Sequence, residues 1–323
     1  MRAVQVHRFG GPEELVLGEV PDPVAGPGQV VVAVEVAGLT FIETQIRRGT
    51  DPWHEPPVLP YVPGGLVAGR VDVVGPGVDQ AWLGRRVLAW TGETGGFAER
   101  AVGSVEALFP APDGLGLPEA VALYSDGSTA QGLVEYARIR PGDWVLVEAA
   151  AGGVGSLLVQ LARAAGARVI GAAGSARKLD VVRELGADAA VDYRAPDWTG
   201  EVRALTAGAG ADVVFDGVGG DIGRAAFAVT ARGGRFSVHG AASGAATSID
   251  PAVARRAGVE VIGIDQLFGF GAHVNRWARE IMAEAAAGRV RPLIGQTFPL
   301  DRAADAHAAI EQRTALGKTL VLV

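Results

Sequence analysis

The chain has 323 residues, 49% of them hydrophobic, with 29 basic and 36 acidic side chains dispersed along it for a formal charge of -7. That apolar content can fill more than one core, and no basic stripe of the kind a nucleic-acid binder presents is visible, which argues against nucleic acid as a partner. Cysteine is absent, which excludes disulfides, thiolate nucleophiles and Cys-ligated zinc.

The opening MRAVQVHRFGGPEELVL contains no apolar run after Arg2 that would read as a secretory signal, so a cytoplasmic protein is expected. Up to residue 121, short β-branched runs at 30–36, 67–74, 86–90 and 97–102 are punctuated by Gly and Pro. Their close spacing predicts an antiparallel, barrel-like β domain with little helix.

Near Leu117 the texture changes. Strand-like segments at 144–149, 168–172, 189–191, 212–215, 235–239 and 259–264 alternate with helical patterns, such as Val154, Leu157, Leu158, Leu161, Ala162 and Ala165. Alternation of this kind predicts a parallel sheet covered by helices on both faces, over residues 122–264. The most membrane-like stretch, 145–162, holds Glu148 and Gln160 and is broken by glycines, so it reads as buried strand, turn and helix, and no membrane is expected as a partner. Residues 265–323 are expected to return to the first domain, with a helix at 274–287 and a final strand at 319–323. The first domain would then be discontinuous, and the segment 259–264 would form an exposed sheet edge able to pair across a two-fold axis in a homodimer.

The first parallel strand runs into Ala150-Ala151-Gly152-Gly153-Val154-Gly155 and then a helix. This is a G-x-G-x-x-G turn with Ala150 in its first position. Gly152 would let backbone approach a pyrophosphate, and Gly155 would let helix and strand pack closely. The next strand ends in Ala173-Gly174-Ser175-Ala176-Arg177-Lys178, with no acid until Asp180. An NAD site places a carboxylate there for the ribose hydroxyls; a hydroxyl and a cation suit the 2'-phosphate of NADPH instead. Lys178 is one of only two lysines, Lys318 being the other. Tyr193 fits equally as a neighbour of the adenosine or as a half-buried core residue.

These residues resemble the medium-chain dehydrogenase/reductase superfamily, in its zinc-free quinone-oxidoreductase branch that includes ζ-crystallin. The likeness runs through AAAGGVGSLLVQLARAAGARVIG, GSARK, LGAD, VDYR, ADVVFDGVGG and RTALGKTLVLV, and near the front through GGPEELVL, PGQVVVAVEVAGLTFIETQIRRG and GRVDVVGPGV. It implies an α/β protein with a GroES-like β-barrel catalytic domain, a Rossmann doubly wound domain and a cofactor in the cleft between them. By motif position, Gly152, Gly153 and Val154 would hold the pyrophosphate, and Gly174, Ser175, Lys178 and Tyr193 would surround the 2'-phosphate. Thr129 would sit near the carboxamide; Val218 and Gly240 would line the ribose and nicotinamide path; Leu267 and Arg313 would close the far side.

The chain departs from that branch at the substrate end. Thr40 stands where Asn is usual, Gln45 and Asp51 where aromatic residues often follow, and Ala241 in place of a frequent Asn. Where zinc-dependent relatives carry G-H-E, this chain has Gly64-Gly65-Leu66, without a ligand atom, and its five histidines are scattered, so no metal is expected. Without zinc, hydride transfer to a quinone or an α,β-unsaturated carbonyl, an enoyl group included, is favoured over alcohol oxidation. Thr40, Tyr61 and Tyr124, with Ser125 and Asp126, are candidate donors to the substrate oxygen. A protein that binds NADPH as a sensor or structural component, with little turnover, is the alternative.

Overall fold

Valine-rich segments that bury runs of consecutive side chains pair into ladders at the front of the chain. The computed structural model describes residues 1–323. Strands β1 (Arg2–Val6) and β2 (Leu15–Glu19) form an antiparallel hairpin. Strand β3 (Gln29–Leu39) carries buried Val30, Val32, Val34 and Val36. It pairs antiparallel with β4 (Leu66–Val74), which pairs with β5 (Arg86–Trp90); β6 (Arg100–Ser104) also pairs with β3, and β7 (Leu108–Pro110) with β5. Helix α1 (Phe41–Arg48) follows β3, and α2 (Leu117–Ala122) ends this part.

Helix α1 corrects the expectation of a nearly helix-free front. Glu43 in the first turn, Arg47 and Arg48 in the last, and Gly49 at φ 72° closing it are the signals of a capped helix.

After a π-helical turn at Leu123–Gly127, the next unit begins with α3 (Ser128–Ala137) and β8 (Trp144–Val147). Helices and strands then alternate: α4 (Gly153–Ala164), β9 (Arg168–Ala173), α5 (Ala176–Glu184), β10 (Ala189–Asp192), α6 (Trp198–Leu205), β11 (Ala211–Asp216), α7 (Gly220–Phe227), β12 (Thr230–Val238), α8 (Pro251–Ala257) and β13 (Glu260–Ile262). The six strands are parallel and ordered β10-β9-β8-β11-β12-β13. Sequence order thus runs outward in both directions from β8 and β11, the order of a doubly wound sheet. Leu146, Ile170, Val214, Phe236 and Val238 are fully buried in its core.

Helix α9 (Val274–Ala286) belongs to this second unit, because Trp277 is fully buried against Phe270 and Tyr136 and donates its indole N–H to Glu135 Oε2 at 2.9 Å. Gly132 on α3 leaves room for that indole; a β-carbon there would meet its ring at 2.7 Å.

The chain then returns through β14 (Ile294–Pro299), α10 (Ala303–Glu311) and β15 (Lys318–Leu322). Strand β15 pairs antiparallel with β3 and parallel with β14, completing a seven-stranded sheet. The units are Met1–Ser125 with Ile294–Val323, and Asp126–Leu293. The second joint therefore lies at 293/294 instead of 264/265, and the first at 125/126 instead of 121/122. The ladder of the first unit does not close, since β14 and β7 are its ends, so the expected barrel is an open sheet. No helix is long and apolar enough to cross a membrane.

Candidate active site

In the second unit, β8 stops at Val147 instead of 149 because Ala149 turns the chain with φ 48°. Gly152 is the N-cap of α4 and, having no side chain, leaves the first amide groups of the helix uncapped. Half-buried Gly152, Gly153 and Val154 form the rim, at the point of the sheet where strand order reverses. Here ligands of open α/β sheets bind, and an uncapped helix start favours an anion. Gly155 is buried, and a β-carbon on it would collide with the Ala149 carbonyl, so close helix–strand packing demands it. At Gly153 a β-carbon would strike the Asp126 carboxylate, a packing demand that nothing near it in the chain signals.

Gly174, Ser175, Lys178 and Tyr193 come together at the ends of β9 and β10. A β-carbon on Gly174 would meet the Tyr193 ring at 2.9 Å, and the Ser175 hydroxyl caps α5 by accepting from the Lys178 amide at 3.4 Å. Val218 and Gly219 donate their amides to Asp216 Oδ1 at 3.0 and 2.7 Å, fixing the loop after β11. Gly240 passes so near Gly217 that a β-carbon would strike its carbonyl. Thr129 is half-buried in the first turn of α3, and Leu267 lies in the 3-10 turn Ile264–Gly269.

Glu148, at the end of β8, was missed as a site neighbour. It is fully buried beside Asp216; burial, then the charge of Asp216, holds it well above the usual carboxylate range.

The first unit holds the substrate-end candidates. Glu43, buried, accepts from Thr40 N at 2.6 Å, Thr40 Oγ1 at 2.8 Å and Gly65 N at 3.2 Å. The Thr40 hydroxyl proton is thus committed to a reciprocal helix cap, which the T-x-x-E spacing encodes and a donor reading overlooks. Burial outweighs these bonds and the Lys318 charge, so Glu43 sits above its ordinary pKa. Tyr124 stacks edge-on with Phe109 at 5.2 Å, and Ser125 accepts from the buried Lys318 Nζ at 3.1 Å. Arg313 is exposed, with φ 60°, and lies over the Phe41 ring at 4.6 Å.

Tyr61 lines a cavity of about 490 Å3 with Ile46, His54, Pro57, Val62 and Glu93. Burial pushes its phenol up to about 12, so it stays protonated. At the cavity His54 Nδ1 donates to Asp51 Oδ2 at 2.7 Å. Sequence reading passed over this pair; its signal was the D-x-x-H spacing. No three His, Asp or Glu side chains converge so as to hold a metal ion; in the Gly64-Gly65-Leu66 stretch the Gly65 amide donates to Glu43 and the Gly64 and Gly65 carbonyls accept from Thr91.

Residues 153–267 match the family described as Zinc-binding dehydrogenase, and residues 26–113 match the Alcohol dehydrogenase GroES-like domain. Rat quinone oxidoreductase is 32% identical, covering all of this chain and 98% of its own. The chain belongs to the quinone oxidoreductase family. Within this family of medium-chain dehydrogenase/reductases, it is also 31% identical to the 2-haloacrylate reductase of Burkholderia sp, over 99% of this chain and 98% of that one. The structure of Escherichia coli quinone oxidoreductase complexed with NADPH superposes with a TM-score of 0.91 at 28% identity, covering both chains fully. As in other quinone oxidoreductases, a GroES-like unit and a Rossmann-like parallel sheet make up the fold.

Proposed function

We propose that this chain is an NADPH-dependent reductase that delivers hydride to a quinone or an α,β-unsaturated carbonyl without a metal. The observation that carries the reading is the end of β9, where Gly174, Ser175 and Lys178 occupy the place an NAD enzyme gives to an acid. The fit is physical. The uncapped start of α4 suits a pyrophosphate, and the hydroxyl and ammonium of Ser175 and Lys178 suit a further phosphate. Tyr193 over Gly174 offers a ring face to the adenosine end, while Val218 and Gly240 would border the rest of the path. Thr129 and Leu267 would complete it.

When bound, the cofactor supplies hydride. The protein orients the acceptor and excludes water, and the conjugated carbonyl itself takes up the developing charge. Lys178→Ala tests the assignment. NADPH affinity, read by fluorescence titration, should fall about tenfold or more, the worth of a charge-assisted phosphate contact, while NADH affinity changes little. An equal loss for both cofactors would contradict it.

A binding-only role is the second reading. It draws on Thr40, whose hydroxyl is committed to Glu43, and on the high pKa of Tyr61, which makes it a poor acid. Tight NADPH binding without consumption by any quinone or enone would favour that role.

A further inference from the structure

Glu148 and Asp216 stand at the ends of neighbouring strands of the parallel sheet. Val147 of β8 is in register with Phe215 of β11, and the Glu148 amide donates to the Phe215 carbonyl at 3.0 Å. The next residues along the two strands, Glu148 and Asp216, therefore project side by side. Both are 0% exposed. Two neighbouring carboxyl groups shut away from water cannot both be ionised, so the pair keeps one proton. Asp216 Oδ1 is already taken by the Val218 and Gly219 amides. The proton therefore belongs to Glu148, which burial and the Asp216 charge hold well above the usual carboxylate range.

The loop clamped by Asp216 has little slack, since Gly219 lies at φ 77° and a β-carbon on it would strike the Ala245 carbonyl. The other titratable side chain beside the pair is His239, just after β12, whose pKa burial lowers to about 4, so it is uncharged at neutral pH. The Thr247 hydroxyl faces Asp216 Oδ2 across the space that Gly223 of α7 leaves; a β-carbon there would strike both. No cation acts on Glu148. All of these residues lie within the unit Asp126–Leu293.

We propose that Glu148 is a positioning residue for the dinucleotide: protonated, it donates to Asp216 and so keeps the Val218 and Gly219 amides clamped beside the cofactor path. The proposal rests on the cofactor reading above. When the proton leaves, two like charges share one buried site, the clamp loosens and dinucleotide affinity falls. The same proton is linked to folding. The folded chain holds it more tightly than the unfolded chain, whose glutamate titrates near 4.5. The stability it contributes is therefore full below that value and is lost as pH rises through the raised one.

The test titrates NADPH by fluorescence into wild type, Glu148→Gln and Glu148→Leu between about pH 6 and about pH 10, a span that brackets the titration of buried glutamates. Glu148→Gln keeps a donor but cannot ionise. Its affinity should match wild type at the acid end and exceed it about tenfold at the alkaline end. Ionisations elsewhere are common to both proteins and cancel in that ratio. Glu148→Leu, without a donor, should bind about tenfold more weakly than Glu148→Gln throughout. Urea denaturation without cofactor supplies the second readout: wild type should lose stability relative to Glu148→Gln as pH rises. A wild-type to Glu148→Gln affinity ratio that stays constant with pH, or urea profiles that run parallel, would overturn the proposal. Tight NADPH binding with a constant ratio removes the role of Glu148 alone. Wild type that binds no NADPH at any pH removes the cofactor reading and this proposal with it.

Discussion

The His307 imidazole is fully buried in the first unit, edge-on to Phe97 at 5.9 Å, with neither nitrogen hydrogen-bonded. Burial, helped by the nearby Arg47 charge, lowers its pKa from 6.5 to about 3. The folded protein therefore binds that proton less readily than the unfolded chain. Its contribution is fully present above pH 6.5 and is lost as pH falls through about 3. His307→Leu should remove this term, so that stability in urea falls less between pH 7 and pH 4, by an amount on the order of a few kcal/mol. An unchanged pH dependence would refute that. At this scale the sequence was most legible where chemistry is local. The glycines of the α4 turn and the Ser175–Lys178 end of β9 announce themselves by residue type and spacing. It was least legible where a partner is distant: nothing near Gly153 in the chain signals Asp126, and nothing near Glu148 signals Asp216.

Among the elements, α1 shows how one motif can carry two meanings. Thr40-Phe41-Ile42-Glu43 attracts attention as a departure from the family, yet its geometry is that of a capping box. Thr40→Ala should accordingly cost about 1 kcal/mol of stability in urea denaturation and leave turnover per folded molecule largely intact. Lost turnover at unchanged stability would return Thr40 to a catalytic role. The strands β3, β4, β5 and the six parallel strands were readable because burial selects short apolar, β-branched runs bounded by Gly and Pro. The hairpin β1–β2, the short α1 and the strand β14 were not, because none is long or periodic enough to stand out before its neighbours are in place.

For the whole molecule, the two-unit division was visible as a change of texture near residue 117, whereas the second joint lies at 293/294 and not at 264/265. Trp277, Phe270 and Tyr136 hold α9 to the second unit through contacts between segments far apart in sequence. Strand β13 has only β12 as a neighbour, so its outer edge is unpaired within the chain, and we expect it to meet a second copy across a two-fold axis. Light scattering should give a dimer for the wild type and a monomer for Ile262→Pro, which cannot extend the ladder; a monomeric wild type would contradict this. The proposed activity is hydride transfer from NADPH to a conjugated acceptor without a metal. The most direct measurement is reduced-nicotinamide absorbance in chelator-treated protein supplied with 1,4-naphthoquinone. Steady consumption of NADPH, well above that of NADH, is the result this account requires; no consumption, or activity restored only by added zinc, would contradict it.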